Sequence, residues 1–474
     1  MAQRIAIVWF REDLRLHDNP ALDHACAHYE HVIPLYIHQP DEAGDWQPGA
    51  ASRWWLHHAL RALDGQLREH GNALLIRSGS TSLDCLAGLA RETGAQAIVW
   101  NRQYTPQAMA RDSAIKARLR EAGLTVTSFR GGLLFEPHEV HKDDGTPYRV
   151  FTAWWRRCHT MDLYQPELPA PATLPGLAGI DGIALDSLGL LPRQPWDDGF
   201  YQYWQPGELQ ARARLEQFME GAVAQYDHAR DYPAIAGTSR LSPHLHYGEI
   251  SPRTIVNRAL QQANAPGGAA THRSLERLMT EVGWRDFAAH ILYHYPDSPD
   301  TAMDARFRRF PWQRNYRTAL QCWQHGQTGF PVIDAGMREL WHTGWMHNRV
   351  RMLVASFLAK NLLIPWQEGA RWFWDTLLDA DLASNTLGWQ WVAGCGTDAA
   401  PYFRIFNPVT QGKKFDPDGE YVRRWVPELA ALDTRCVHEP WKSGLDLAYP
   451  APMVDLQATR IRALDAFKSL RGQA

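Results

Sequence analysis

A short stretch late in the chain, from Asp379 to Trp391, concentrates side chains that could do chemistry. It holds two carboxylates, Asp379 and Asp381, the amide of Asn385, and two indoles, Trp389 and Trp391. Aspartate and asparagine hydrogen-bond to nearby backbone and favour helix caps and turns, so one interpretation is the capped start of an apolar helix. Capping leaves the indoles unexplained. We therefore also interpret the stretch as part of a functional site.

A second segment, 238–242, could hold a phosphate group. Its residues are Thr238, Ser239, Arg240, Leu241 and Ser242. Hydroxyls and a guanidinium close together suit a phosphate, which is bound by hydrogen-bond donors and positive charge. Turns rich in serine and threonine are common, so this string alone is a weak signal.

A third group, Glu281, Trp284 and Arg285, has the spacing of one helix face. Side chains at i, i+3 and i+4 are neighbours on a helix, so a carboxylate, an indole and a guanidinium would lie side by side. A surface Glu–Arg pair is the simplest interpretation. The indole of Trp284 between them favours a binding site instead.

A fourth segment, 345–352, places Asn348 and Met352 on one helix face, with Arg351 alongside and Arg349 pointing elsewhere. An amide can hydrogen-bond a base edge, and methionine adapts to a flat ligand, although Met352 as plain core is an equally good interpretation. A pair between Arg351 and the first carboxylate of the 379–391 stretch is expected. Opposite charges about 4 Å apart at an effective dielectric near 20 attract by roughly 4 kcal/mol.

The elements that must position these groups fall into two kinds, and the first 130 residues are α/β. Apolar runs predict buried strands at Ile5–Phe10, His31–Ile37, Ala73–Ser78, Ala97–Trp100 and Thr125–Phe129. Helical patterns lie between them, at Ser52–His70, Ser82–Thr93 and Thr105–Ala122. This alternation predicts a doubly wound, Rossmann-like parallel sheet over 1–130. No glycine-rich dinucleotide motif or P-loop follows the first strand, so a nucleotide site of either kind is not supported there.

The rest of the chain is predicted to be a linker, 131–206, and an all-helical domain, 207–474. The linker is rich in proline and glycine from about residue 160 and has little periodicity, as expected of a long connection. Amphipathic patterns then predict helices at Glu208–Gln225, Ser251–Gln262, Arg273–Tyr293, Pro331–His342, Trp345–Leu363, Gly369–Leu378 and Val454–Ser469.

The composition predicts a globular cytoplasmic protein, and we expect a monomer. The six cysteines are scattered and contain no C-x-x-C pair, so neither a zinc site nor a disulfide framework is indicated, and no metal is expected. The first apolar run is too short for a signal peptide, and the most apolar late segment is too short for a membrane span.

A nucleic-acid partner would have to meet a local basic patch, because the net charge is −3. The best candidate is the segment 306–317, which contains five arginines, no acid and interleaved aromatic residues. Its arginines are Arg306, Arg308, Arg309, Arg314 and Arg317. The alternative is an ordinary solvated surface helix.

Together these segments resemble the photolyase/cryptochrome family, and the resemblance runs from Val8 to about Pro450. It implies an N-terminal antenna-chromophore domain and a C-terminal helical domain that binds FAD and UV-damaged DNA. The implied activity is light-driven repair of cyclobutane pyrimidine dimers, by electron transfer from reduced FAD to a dimer flipped out of the duplex. The members that repair these dimers in bacteria are the most similar group.

The resemblance assigns the cofactor site. Tyr226 and the segment 238–242 match the residues that hold the FAD pyrophosphate. The flavin ring would be surrounded by Arg285, Arg351, Asp379, Asp381 and Asn385. Of these, Asp381 would accept a hydrogen bond from the flavin imide, and Asn385 would lie against N5.

The resemblance also assigns the DNA site. The lesion would be met by Glu281, Trp284, Asn348, Met352 and Trp391. The surrounding DNA would be met by Arg230, Arg349, Arg404 and Gln411. Relatives that repair pyrimidine(6-4)pyrimidone lesions have histidine at the positions of Asn348 and Met352, so these two residues favour cyclobutane dimers.

Three of the 21 tryptophans match a family electron relay, with Trp389 nearest the flavin, Trp366 next and Trp312 at the surface. The antenna site matches less well. Gln107 and Ala108 stand where folate-binding relatives often have an Asn-Glu pair. Methenyltetrahydrofolate in another pose, a deazaflavin and an empty domain all stay open.

Two other functions are compatible with parts of the sequence. A cryptochrome-type blue-light photoreceptor would bind the same flavin and signal rather than repair DNA. Asn385 argues against it, because plant cryptochromes have aspartate there, and so does the absence of a long tail after Pro450. A non-photochemical nucleotide-binding protein with a helical interaction domain lacks any phosphate motif in its α/β half.

Overall fold

The N-terminal part of the protein is a parallel sheet, seen in a computed structural model that describes residues 4–264, 269–398 and 403–470. The strands are β1 (Ile5–Phe10), β2 (His31–Ile37), β3 (Leu75–Arg77), β4 (Ala97–Asn101) and β5 (Thr125–Phe129). They are ordered β3-β2-β1-β4-β5, and every neighbouring pair is parallel. All of β1 is buried, as expected for a central strand that is covered on both faces.

Helices cover the two faces of this sheet, which makes it doubly wound as predicted. They are α1 (Pro20–His28), α2 (Ala50–Glu69), α3 (Ser82–Thr93) and α4 (Pro106–Glu121). Alternate residues of β1 face opposite sides: Val8 packs in the core with α1 and α2, and Ile7 packs in the core with α3 and α4. The helix α1 was not predicted; Asn19 caps it by accepting a hydrogen bond from the amide of Leu22 (3.1 Å).

The C-terminal part is helical, as predicted. Its helices are α5 (Phe151–Cys158), α6 (Phe200–Tyr203), α7 (Glu208–Glu220), α8 (Tyr226–Ala229), α9 (Ser242–His246), α10 (Pro252–Ala263), α11 (Ala269–His294), α12 (Arg317–Gln324), α13 (Pro331–Thr343), α14 (Asn348–Ser356), α15 (Trp366–Thr376), α16 (Leu382–Ala393), α17 (Pro408–Phe415), α18 (Glu420–Trp425) and α19 (Leu456–Ser469). Within the described ranges, no helix has the length and apolar character that crossing a membrane requires.

The predicted helix Trp345–Leu363 is shorter in the structure and changes type. The preceding helix α13 ends at Gly344, whose φ of 66° gives a left-handed C-cap. The new helix α14 then begins at Asn348, capped by the ring of His347, which accepts from the amide of Arg349 (3.2 Å). From Phe357 to Asn361 the chain is π-helical. Such turns are rare and are frequent at functional sites.

The stretch predicted as a linker, 131–206, begins with packed structure. Within it, α5 packs on α11 so closely that a Cβ on Gly283 would lie 2.6 Å from the ring of Trp155. From 159 to 184 the chain has no regular structure and passes along the edge of the sheet, where the amide of Val32 donates to the carbonyl oxygen of Pro175 (2.9 Å).

Buried charges join the two domains. The guanidinium of Arg15, 1% exposed, donates to the carbonyl oxygens of Asp18 and Gly131 and to that of Gly248 in the helical domain (2.6–2.8 Å). The carboxylate of Asp18 also pairs with Arg253 of α10 (2.9 Å). A buried charge is tolerated only when it is hydrogen-bonded in this way, so the contact fixes how the domains meet.

Candidate active site

A cavity of about 850 Å³ opens between α11, α14, α15 and α16. Its volume is typical of small-molecule and cofactor sites. Most of the predicted site residues line it: Arg230, Ser242, Glu281, Trp284, Arg285, Asn348, Arg349, Arg351, Met352, Asp379, Asp381, Asn385, Trp389, Trp391 and Arg404. The fold therefore brings together segments that are far apart in the sequence.

The expected pair between Arg351 and Asp379 is present in this cavity. Nη2 of Arg351 lies 2.8 Å from Oδ2 of Asp379, and Nε donates to the carbonyl oxygen of Met346 (2.8 Å). The Asp379 side chain is only 4% exposed, and its Oδ1 has no hydrogen-bond partner. A buried acceptor without a donor is unfavourable, and a ligand that donates a hydrogen bond would complete it.

Two residues of α16 offer further acceptors to the cavity. Asp381 caps the helix, because its Oδ1 accepts from the amide of Ser384 (2.7 Å), as the first interpretation of this stretch expected. It also lines the cavity, so its second oxygen can accept from a ligand. Asn385 donates its Nδ2 to the carbonyl oxygen of Ala370 (3.0 Å), which leaves Oδ1 as an acceptor.

The segment 238–242 reaches the cavity through Ser242. Arg240 has a φ of 52°, which is unusual for a residue other than glycine and is concentrated at functional sites. Its guanidinium lies 4.7 Å from the ring of Trp345, and the indole Nε1 of Trp345 donates to Oγ of Ser242 (3.3 Å). The left-handed backbone therefore turns the arginine onto an aromatic wall of the site.

Other residues expected at the cofactor do not line the cavity. Thr238 and Ser239 are half-buried outside its lining, and Leu241 is core. Tyr226 is buried beneath the guanidinium of Arg230, 5.5 Å from the ring centre. Burial raises the pKa of this phenol, so it stays protonated as a potential donor.

The predicted face of α11 borders the cavity. One face of the Trp284 indole is covered by the ring of Phe151, with centroids 3.8 Å apart and planes at 11°. The opposite face is left to the cavity. Arg285 donates to the carbonyl oxygen of Gly132 (2.6 Å), and the carboxylate of Glu281 lies one helical turn before Trp284.

The predicted face of α14 also borders the cavity, but Arg349 does not point elsewhere. That prediction is wrong, because Arg349 lines the cavity together with Asn348, Arg351 and Met352. Its Nη1 is 3.9 Å from the sulfur of Met352. Arg349 and Met352 are three residues apart, so they are neighbours on one face of the helix.

Two arginines expected at DNA are each paired with an acid. Nη1 of Arg230 hydrogen-bonds to Glu281, and Nη2 of Arg349 lies 2.6 Å from Oδ1 of Asp231. The sequence analysis did not identify Asp231 as a site residue. Its partner lies more than a hundred residues away, and only its position directly after Arg230 could have drawn attention to it.

A basic groove of about 700 Å³ adjoins the cavity and shares two arginines and two acids with it: Arg349, Arg404, Asp227 and Asp231. Gln411 lines this groove and not the cavity, and Lys414 adds a further cation. The five arginines of the segment 306–317 are all exposed, but none of them lines the cavity or the groove. A short 3-10 helix, Ala305–Arg309, replaces the surface helix that was the alternative.

The three predicted relay tryptophans differ in burial. Trp389 is 2% exposed and lines the cavity, Trp366 is buried, and Trp312 is half-buried. Trp389 packs so closely on α15 that a Cβ on Gly369, three residues after Trp366, would lie 2.0 Å from its ring. Trp323 was not predicted at this place, and its ring centroid is 6.3 Å from that of Trp389.

Gln107 and Ala108, at the expected antenna position, lie at the start of α4. Gln107 is exposed and Ala108 is buried in the first turn of α4. A nearby cavity, lined by Tyr104 and Thr105 among others, has a volume of only about 60 Å³, enough for water. The identity of an antenna therefore stays open.

Comparison with known proteins identifies both parts of the chain. Residues 6–172 match the family model described as DNA photolyase, and residues 278–469 match the FAD binding domain of DNA photolyase. A deoxyribodipyrimidine photo-lyase of Agrobacterium fabrum is 45% identical, with 98% of each chain covered. Cryptochrome-2 of Arabidopsis thaliana is 38% identical over 96% of this chain and 77% of its own. The crystal structure of a bacterial class III photolyase from Agrobacterium tumefaciens superposes with a TM-score of 0.95 at 43% identity, covering 100% of this chain and 99% of that one.

The cavity fits the FAD that this domain binds. The buried, unpartnered Oδ1 of Asp379 needs a donor, and Arg351 supplies positive charge beside it. Phe373, Leu377 and Val392 give an apolar wall for a flat ring. With the matches along both domains, these residues show that the chain belongs to the photolyase/cryptochrome family.

Proposed function

We propose that this protein uses light to repair cyclobutane pyrimidine dimers in UV-damaged DNA. Reduced FAD, held by Arg351, Asp379 and Asp381 among others, would supply the light-driven electron transfer that opens the dimer. The lesion has to leave the duplex to enter the cavity, as in other enzymes that flip bases. The residues of this chain bind the DNA, stack on the flipped lesion and place charged side chains around the lesion and the flavin.

One observation carries this proposal. The residues expected at the lesion and those expected at the flavin line the same cavity, and the basic groove joins its mouth. The lesion group is Glu281, Trp284, Asn348, Met352 and Trp391. A lesion in this cavity would lie beside the cofactor while its flanking phosphates meet Arg349 and Arg404.

Trp284 and Trp391 supply flat surfaces for the lesion. Phe151 supports the Trp284 ring from behind, and Nε1 of Trp391 donates to the carbonyl oxygen of Asp398 (2.9 Å). Unpairing a base costs a few kcal/mol, and stacking on an aromatic side chain returns about 1–3 kcal/mol per base. Two indoles can therefore offset the cost of flipping.

Substrate choice provides the test of this function. We expect chemically reduced protein, illuminated with blue light, to restore thymines in an oligonucleotide that contains one cyclobutane dimer. The same protein should leave a pyrimidine(6-4)pyrimidone oligonucleotide unchanged, because Asn348 and Met352 offer no histidine to that lesion. Reversal of the second lesion would refute the specificity. Failure to repair either lesion, with FAD bound, would favour a signalling photoreceptor.

Glu281 is expected to lower the energy of the reduced lesion, since a carboxylic acid, released from its pair with Arg230, can donate a hydrogen bond to the negative charge that a pyrimidine acquires. Glu281→Ala should reduce repair per absorbed photon roughly 100-fold, the low end of what a positioned acid contributes. The FAD content should stay at the parent level. Glu276→Ala, an exposed carboxylate on the same helix, is the matched control. Equal repair by both variants would remove Glu281 from the mechanism.

A further inference from the structure

Two polar side chains beneath the basic groove hold the backbone that carries Arg404. Ser356 is the last residue of α14, and Lys360 lies in the π-helical turn Phe357–Asn361 that continues it. Nζ of Lys360, within that turn, donates to the carbonyl oxygen of Arg404. Oγ of Ser356, four residues earlier, accepts from the amide of Phe406 (3.3 Å). The backbone at Arg404 and two residues after it is therefore held by hydrogen bonds to two side chains of one helical segment.

Lys360 is placed where a cation is unfavourable. Lys360 is 3% exposed, and its Nζ lies 4.4 Å from the ring of Phe403. That ring in turn stacks on Phe467, with centroids 4.5 Å apart. Burial lowers the pKa of Lys360 to about 7. An apolar side chain of the same length would fill this space without burying a charge. The contribution of the amine therefore lies in its contact with Arg404.

The contact between Lys360 and Arg404 bears on DNA binding. Arg404 lines both the cavity and the basic groove, where DNA phosphates would lie under the proposed function. Lys360 and Ser356 are buried and cannot touch DNA themselves. We propose that Lys360, assisted by Ser356, is a positioning residue for DNA binding: it fixes the backbone of Arg404 so that the guanidinium meets a phosphate.

The test measures DNA binding in the dark by FAD-loaded protein. The probe is a duplex oligonucleotide with one cyclobutane thymine dimer, titrated at several salt concentrations. Lys360→Met, which keeps the length and removes the donor, should weaken binding about tenfold (about 1.4 kcal/mol). The slope of log affinity against log salt should fall by about 0.9, the value for one phosphate contact. The visible spectrum and FAD content should match the parent.

A double-mutant cycle separates positioning from general damage. In an Arg404→Ala background, Lys360→Met should have almost no further effect, because the group that it positions is gone. An equal loss in both backgrounds, or no loss in the parent background, would overturn the proposal. Lys116→Met, in the N-terminal domain, controls for the loss of one positive charge. Should Lys360→Met fail to fold, Ser356→Ala tests the same cycle with a smaller change.

The inference rests on the proposed function, and its failure can be told apart from the failure of that function. Equal affinity of the parent for damaged and undamaged duplex would contradict repair. The cycle would still be readable with either duplex, because contacts to phosphate carry no lesion or sequence information. The interaction energy between the Lys360 and Arg404 substitutions then shows whether Lys360 positions Arg404, whichever duplex is used.

Discussion

Replacing Arg351 by alanine is expected to give protein that is nearly free of FAD and less stable by about 3 kcal/mol. The carboxylate of Asp379 would stay buried without its partner, which is the expensive way to break a buried ion pair. The charge of the cavity beside the flavin site would also change, because the carboxylate of Asp379 would no longer be balanced by a guanidinium. The remaining carboxylate would repel an anionic reduced flavin.

The measurements are the ratio of flavin to protein absorbance after purification and the midpoint of urea unfolding without added FAD. Arg371→Ala is the matched control, because this arginine pairs with Asp300 at 3.3 Å on the surface and both side chains are more than half exposed. An exposed pair contributes about 0–1 kcal/mol, so this variant should resemble the parent in both measurements.

A double variant separates the stability effect from the cofactor effect. Arg351→Met with Asp379→Leu removes both charges, and replacing a buried pair with apolar residues is often neutral for stability. We expect this protein to regain most of the lost stability but little of its FAD, because the acceptor Oδ1 of Asp379 is gone as well. Normal FAD content in the Arg351→Ala protein would refute the role of the pair.

The sheet could be predicted closely because its strands depend on local sequence. Ile5–Phe10 and His31–Ile37 are uninterrupted apolar runs between polar segments, and both strands have the predicted bounds. A parallel strand is buried on both faces, so its run of apolar residues is visible in the sequence without knowledge of its neighbours. The helix faces of α11 and α14 follow from spacing in the same way.

Apart from the pair between Arg351 and Asp379, the pairing of charges in the cavity could not be predicted from local pattern, since it depends on which distant segments meet. Arg230 contacts Glu281, 51 residues away, and Arg349 contacts Asp231, 118 residues away. Local patterns also misplaced the start of α14. Periodicity extends back to Trp345, but the left-handed Gly344 and the cap made by the ring of His347 start the helix at Asn348.

Trp389→Phe is expected to slow photoreduction of the bound flavin by an external reductant, lowering its initial rate roughly tenfold or more. An indole is oxidised far more readily than a phenyl ring, so phenylalanine keeps an aromatic ring in the space and removes the donor. The site is tight: Trp389 is 2% exposed, and its ring centroid lies 5.0 Å from that of Phe373. Absorbance of the flavin under continuous blue light, with the reductant in excess, gives the rate.

The variants Trp366→Phe and Trp323→Phe then locate the next step. Trp366 lies on α15, on which Trp389 packs through Gly369, whereas Trp323 presents its ring at 68° to Trp389. Slow photoreduction in the Trp366 variant supports the relay through Trp312, and slow photoreduction only in the Trp323 variant moves the path to α12.

Protein reduced chemically beforehand should repair dimers at the parent rate in all three variants, because the relay serves only to reduce the cofactor. If Trp389→Phe photoreduces at the parent rate, or loses repair after chemical reduction while it still binds FAD and DNA, Trp389 is a packing residue and the relay assignment is wrong.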